Sequence, residues 1–184
     1  MRNRRIIRDL APVSALLTTL ALAADMPTGM PNQMAELDRL LMPSDVAIGS
    51  DGRTYVVESR NHLVAVFDAN GTRVASLGVM GGEEGQLLNP LGVGAGPNGA
   101  VWVADKGNER IVMFDDRGRS RKALELEADG EDIVPVDIAI GPGGRELFIT
   151  SNNTHQVVVF SNRGEFLRAW GAQARAGGRV HPSM

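Results

Sequence analysis

The chain contains no cysteine, so no disulfide staples it and no thiolate serves it as nucleophile or metal ligand. It lacks an apolar run of the roughly 20 residues that a membrane-spanning helix needs. It has no strand-free stretch with helical periodicity of ten or more residues, which excludes a parallel α/β array. The motifs of hydrolytic and phosphate chemistry are missing as well: there is no nucleophile elbow, no phosphate loop and no His-Glu-x-x-His pair. No surplus of base is present, the formal charge being −3 with 19 basic and 22 acidic residues. Phosphate binding depends on Lys and Arg, so a nucleic-acid partner is not expected.

What the chain does have is a repeat. Pro43, Pro90, Pro135 and Pro182 mark off units of 47, 45 and 47 residues. Aligned on these prolines, Asp51-Gly52, Asn98-Gly99 and Gly143-Gly144 coincide, and Tyr55, Trp102 and Phe148, then Phe67, Phe114 and Phe160, fall in register to within one residue. Self-similarity at a period of about 40–50 residues signals the blades of a β-propeller. Each unit reads as four short strands. In the first these are Val46–Ile48, Thr54–Val57, Leu63–Phe67 and Val74–Leu77, punctuated by Asp51-Gly52 and Asn70-Gly71 turns. The fold class is therefore all-β.

The segment Pro-Ser-Asp-Val-Ala-Ile-Gly from Pro43, continuing through Asp51-Gly52 to Tyr-Val-Val-Glu-Ser-Arg-Asn-His-Leu-Val-Ala-Val-Phe at Phe67, resembles an NHL repeat. The second unit, Val103 to Ile111, is the most similar to the family pattern. The third departs from it, with Ser151 at the acidic position and Thr154-His155-Gln156 in place of Asn-His-Leu. The resemblance covers about residues 41–184 and implies six-bladed propellers, of which some bind protein or RNA and others are lyases. It implies a binding face and not a particular reaction. Blades are expected at about 41–87, 88–133 and 134–178, with residues 179–184 opening a fourth. Two readings of that count are a segment of a six-bladed protein, or a half-propeller that forms a homodimer completing the ring. Ala35–Leu41 reads as a short helical turn within a linker spanning 24–40, because Leu37, Leu40 and Leu41 fall at i, i+3 and i+4.

The first 23 residues read as a signal peptide. Arg2, Arg4, Arg5 and Arg8 form a basic start, Leu10–Leu22 an apolar middle, and Ala21-Leu22-Ala23 a cleavage site. The mature chain would begin at Ala24 with 15 basic and 21 acidic residues, a formal charge of −6. These features together predict a periplasmic or secreted protein with no membrane span after cleavage.

Function is read from the loops. In a propeller the segment entering each inner strand and the connection between second and third strands emerge at one end. This gathers Asp45, Arg60, Asn61, His62, Lys106, Asn108, Glu109, Asp137, Asn152, Asn153 and His155 as a candidate binding face for a protein, peptide or glycan. No catalytic residue and no cofactor is predicted, and a metal ligand set is not readable. His62 and His155 fall at adjacent repeat positions and His181 just before Pro182; imidazole is a common metal ligand, yet turn residues at repeat positions are better read as structural. Gly92-Val93-Gly94 sits on an inner strand and precedes no helix, so it reads as close packing near the axis. The acidic run Glu125, Glu127, Asp129, Glu131 and Asp132 lacks the ligand spacing of a calcium loop and reads as a solvated connection between blades. The alternative to a binding scaffold is a fragment of a metal-dependent propeller enzyme similar to peptidyl-hydroxyglycine amidating lyases or gluconolactonase-like proteins. An RNA-binding NHL domain is the third reading, opposed by export and acidity.

Overall fold

A computed structural model describes residues 40–171. The signal peptide, the linker with its helical turn up to residue 39, and the opening of a fourth blade with His181 and Pro182 lie outside the described residues. Three four-stranded antiparallel sheets follow one another along the chain. Blade 1 comprises β1 (Pro43–Ile48), β2 (Thr54–Glu58), β3 (Leu63–Phe67) and β4 (Arg73–Leu77). Blade 2 comprises β5 (Gly92–Ala95), β6 (Val101–Asp105), β7 (Arg110–Phe114) and β8 (Ser120–Glu125). A two-stranded ribbon, β9 (Glu127–Ala128) and β10 (Glu131–Asp132), leads to blade 3, made of β11 (Pro135–Ile140), β12 (Glu146–Ser151), β13 (Gln156–Ser161) and β14 (Phe166–Trp170). Every blade runs in strand order from inner to outer edge, the consequence of tight Gly-bearing turns between adjacent β-branched runs. Gly52, Gly99 and Gly144 take positive φ at the same place in each inner hairpin, where a Cβ would be strained.

The registers confirm the repeat. Ala47, Tyr55 and Val66 stand side by side across blade 1, Gly94, Trp102 and Met113 across blade 2, and Ala139, Phe148 and Val159 across blade 3. Because strand side chains alternate between faces, each blade has one face toward its successor and one toward its predecessor. Two cores result. Tyr55, Val57, Val64, Val66 and Leu77 of blade 1 meet Val93, Val101, Val103, Val112 and Phe114 of blade 2. Trp102, Ala104 and Ile111 of blade 2 meet Ile138, Leu147, Ile149, Val158 and Phe160 of blade 3. The inner strands β1, β5 and β11 adjoin. Gly92 allows this: a Cβ there would stand 2.6 Å from Asp137 Cα and 2.9 Å from the Val136 carbonyl.

Among the described residues, each end blade has one face that no other blade covers. On blade 1 Val46 is 59% and Ile48 74% exposed, and on blade 3 Trp170 is 47% exposed. Trp170 stacks on Phe148 at 6.0 Å between ring centroids, and Arg168 lies over both rings while pairing with Glu146 at 2.7 Å.

Two sequence readings need correction. His62 and His155 occupy the same structural position, not adjacent ones: each is the left-handed residue, φ 56°, immediately before the third strand. The offset arises because the β11–β12 turn is one residue longer than its counterpart between β1 and β2. The acidic connection of blade 2 is also more than a solvated loop. Its acids are exposed, but Leu126, Ala128 and Ile133 between them are buried in the second core, following the period-two alternation of a strand.

Candidate functional site

The β2–β3, β6–β7 and β12–β13 connections lie at one end of the blades, beside the segments that enter the inner strands. In blades 1 and 2 the connection is one 3-10 turn, Ser59–Asn61 or Lys106–Asn108, followed by a left-handed residue, His62 or Glu109. A buried carboxylate at the end of the second strand organises each turn. Glu58, fully buried, accepts from Asn61 Nδ2 at 2.6 Å and from the Leu41 backbone N–H at 3.3 Å, and pairs with Arg73 at 2.8 Å. Asp105, also fully buried, accepts from Asn108 Nδ2 at 2.7 Å, the Leu88 N–H at 2.6 Å and Arg110 Nε at 3.0 Å. A buried carboxylate is tolerated only when paired and hydrogen-bonded, and here those bonds tie the turn to the segment entering its own blade.

Blade 3 reaches the same geometry with neutral groups. Ser151 replaces the carboxylate and donates to Asn153 Oδ1 at 2.6 Å, which also accepts the Val134 N–H at 3.1 Å, while Asn153 Nδ2 donates to the Asp132 carbonyl at 2.6 Å. Thr154 stands where Asn61 and Asn108 stand in the other blades, buried with its hydroxyl unpartnered among the described residues.

The predicted binding residues therefore divide into two groups. Asn61, Asn108 and Asn153 hold the turns. His62 Nδ1 accepts the Asn89 N–H at 2.8 Å, fixing the link between blades 1 and 2. Asp45 accepts its own Val46 N–H at 2.8 Å and the Val93 N–H of blade 2 at 2.7 Å, bridging two inner strands. Burial raises the Asp45 carboxyl above its ordinary value; those two N–H groups oppose the shift and the nearby Asp137 charge adds to it. Asp137, exposed, accepts the Ile138 N–H at 2.7 Å. The second group is Arg60, Lys106, Glu109, Asn152 and His155, whose side chains have no hydrogen bond or ion pair within the described residues. All are exposed except Lys106, which is half-buried. No group of three or more His, Asp or Glu side chains placed to hold a metal occurs among the described residues.

The sequence reading missed a cavity at the opposite end, where the β1–β2 turn of blade 1 faces the β7–β8 turn of blade 2. It has a volume of about 310 Å³ and is lined by Tyr55, Val66, Ala75 and Leu77, with Arg53 and Asp116 among its polar residues. Burial raises the Tyr55 hydroxyl above its ordinary pKa, with the Asp51 charge acting in the same direction. Only a position-by-position comparison of side-chain size between units would have exposed it.

No curated protein sequence matches the chain. The family described as NHL repeat matches residues 40–67, which covers β1 to β3. Among solved structures, Kuenenia stuttgartiensis hydrazine synthase superposes with a TM-score of 0.57 at 18% identity, over 71% of this chain and 36% of that one. Virginiamycin B lyase from Staphylococcus aureus does so with 0.55 at 22% identity, over 72% and 42%. A streptogramin B lyase gives 0.54 at 18% identity, over 71% and 41%. At these identities the likeness is one of fold, and the chain spans about two-fifths of the length of the structures it resembles. Residues 40–67 are an NHL repeat, and the chain that contains them is a partial β-propeller.

Proposed function

We propose that this chain is an exported binding scaffold that engages a protein, peptide or glycan through the end of its blades bearing the β2–β3, β6–β7 and β12–β13 connections. One observation carries the reading. Arg60, Lys106, Glu109, Asn152 and His155 project, without partners among the described residues, from turns that buried carboxylates and asparagines hold. Rigid turns reduce the ordering cost of binding, and unpaired side chains of mixed charge supply the contacts. The lyases named above share the fold, but no arrangement of side chains among the described residues favours carrying their chemistry across. Export rests on the basic and apolar pattern of residues 1–23.

The test is a screen of glycan and peptide arrays with the intact chain and with a variant in which these five residues are replaced by serine. Exposed substitutions usually change stability by about 0.5 kcal/mol or less each, so both proteins should melt alike. Binding to every specific hit should fall at least about tenfold, or 1.4 kcal/mol. Hits retained by the variant would place recognition elsewhere.

We also propose that two copies associate head to tail. The blade 3 face with Phe148, Val157 and Trp170 corresponds to the faces that blades 1 and 2 present to their successors. The blade 1 face with Val46, Ile48 and Phe67 corresponds to those that receive them. Ile140, the counterpart of Ile48, lies against blade 2, since a Cβ on Gly94 would meet Ile140 Cγ1 at 2.9 Å. Exposed apolar faces of this kind favour association. Light scattering coupled to size exclusion should give twice the chain mass, and Ile48→Glu should shift it to the monomer. A monomer at every concentration refutes the pairing.

A further inference from the structure

The junction between blades 2 and 3 is bridged by a lysine that the junction between blades 1 and 2 lacks. Lys122, on β8 opposite Met113, donates from Nζ to the Asn162 carbonyl of blade 3 at 2.8 Å. Ala75 holds the same register position in blade 1, opposite Val66 on β4. Asp116 corresponds to Asn162, each two residues beyond its aligned phenylalanine, Phe114 or Phe160. The alanine ends at Cβ, and the cavity of about 310 Å³ occupies the space that a lysine stem would fill. Among the described residues, the Asp116 carbonyl, counterpart of the lysine acceptor, receives only Arg53 Nη1 at 3.5 Å, the outer limit of a hydrogen bond.

We propose that this cavity binds a primary alkylammonium group, the lysine side chain of a partner polypeptide, which takes the place that Lys122 fills at the next junction. Its stem would lie on Tyr55, Val66 and Leu77, and its ammonium would donate to the Asp116 carbonyl. An amphipathic chain of this type buries its methylenes while keeping its charged end at polar groups. The polar surroundings suit it. Asp115 is already saturated by the Arg117 and Arg119 N–H groups and the Arg119 and Arg121 side chains, with its carboxyl held far below the ordinary value by the Arg119 backbone N–H first, which leaves the Asp116 carboxylate as the acid at the rim without a partner among the described residues. Arg53 is drawn toward Asp51 at 3.5 Å. Arg117 also lines the cavity, so an acidic ligand is the competing outcome. The site lies at the opposite end of the blades from the loop face and does not depend on that reading.

The experiment titrates the isotopically labelled full chain by NMR with the methylamides of Nα-acetyl-lysine, Nα-acetyl-norleucine and Nα-acetyl-glutamate. Lysine methylamide should give saturable shifts at Tyr55, Ala75, Asp116 and Gly118, with half-saturation on the order of 1–10 mM, the range for a ligand of about a dozen heavy atoms. The neutral and acidic analogues should bind at least about tenfold more weakly. Ala75→Lys should abolish the shifts by filling the site from within. Lys122→Ala should open a second site and add saturable shifts at Asn162, which tests the proposal even if the first variant fails to fold. Equal binding of norleucine, preference for glutamate, or no saturable shift up to about 50 mM overturns it.

Discussion

Asp105→Ala is expected to destabilise the chain by about 3–5 kcal/mol, the usual consequence of removing one partner of a buried ion pair. Three donors converge on this carboxylate: the Leu88 N–H, Asn108 Nδ2 and Arg110 Nε. Its removal strands the half-buried Arg110 guanidinium, which also donates to the carbonyls of Gly82, Glu83 and Gln86. One side chain thus fixes both the 3-10 turn of blade 2 and the long connection from blade 1. The loss should therefore extend beyond the turn, and amide exchange at Leu88 and Gly107 should accelerate by more than the change in global stability accounts for. Asp105→Asn keeps acceptor geometry without the charge and should cost less. As a control, Glu146→Ala breaks an exposed pair with Arg168 and should cost far less, because solvent screens such a pair. Urea denaturation of the three variants reads the order directly. Equal midpoints for Asp105→Ala and Glu146→Ala would show that the buried carboxylate does not organise the turn.

The blades were legible because a propeller repeats its constraints. Proline before the inner strand, glycine in the inner hairpin and aromatics at two registers each answer to one backbone position, and three copies make the pattern visible above chance variation. The carboxylate frame was partly legible: Glu58 with Asn61 and Asp105 with Asn108 share a three-residue spacing that a single turn brings together. Reading those asparagines as free binding groups overlooked that a buried acid three residues earlier demands donors. Blade 3 hid the motif by substituting Ser151 and using Asn153 instead. The cavity between blades 1 and 2 left no motif at all, because it is created by what Ala75 does not reach.

The exposed faces also explain why one repeated position should respond unequally to the same substitution. Tyr55, Trp102 and Phe148 are register equivalents, yet Tyr55 and Trp102 are 3% and 4% exposed at the two inter-blade cores, whereas Phe148 faces no described blade. Trp102→Ala is expected to cost about 3–5 kcal/mol, because the ring is buried in the core it shares with Ile111, Ile138 and Leu147, and a close-packed core cannot readily collapse. Phe148→Ala removes a half-buried ring whose main partners are Trp170 and Arg168. An aromatic pair contributes about 0.5–1.5 kcal/mol beyond burial, so the loss should stay near 1–2 kcal/mol for the isolated chain. Unfolding by urea at low concentration, where any head-to-tail pair has dissociated, isolates this intrinsic term. At high concentration Phe148→Ala should become more damaging than at low, since stability then includes association, while the cost of Trp102→Ala stays nearly constant. If Phe148→Ala matches Trp102→Ala under dilute conditions, the leading face of blade 3 is covered within the chain itself, and the pairing argument fails with it.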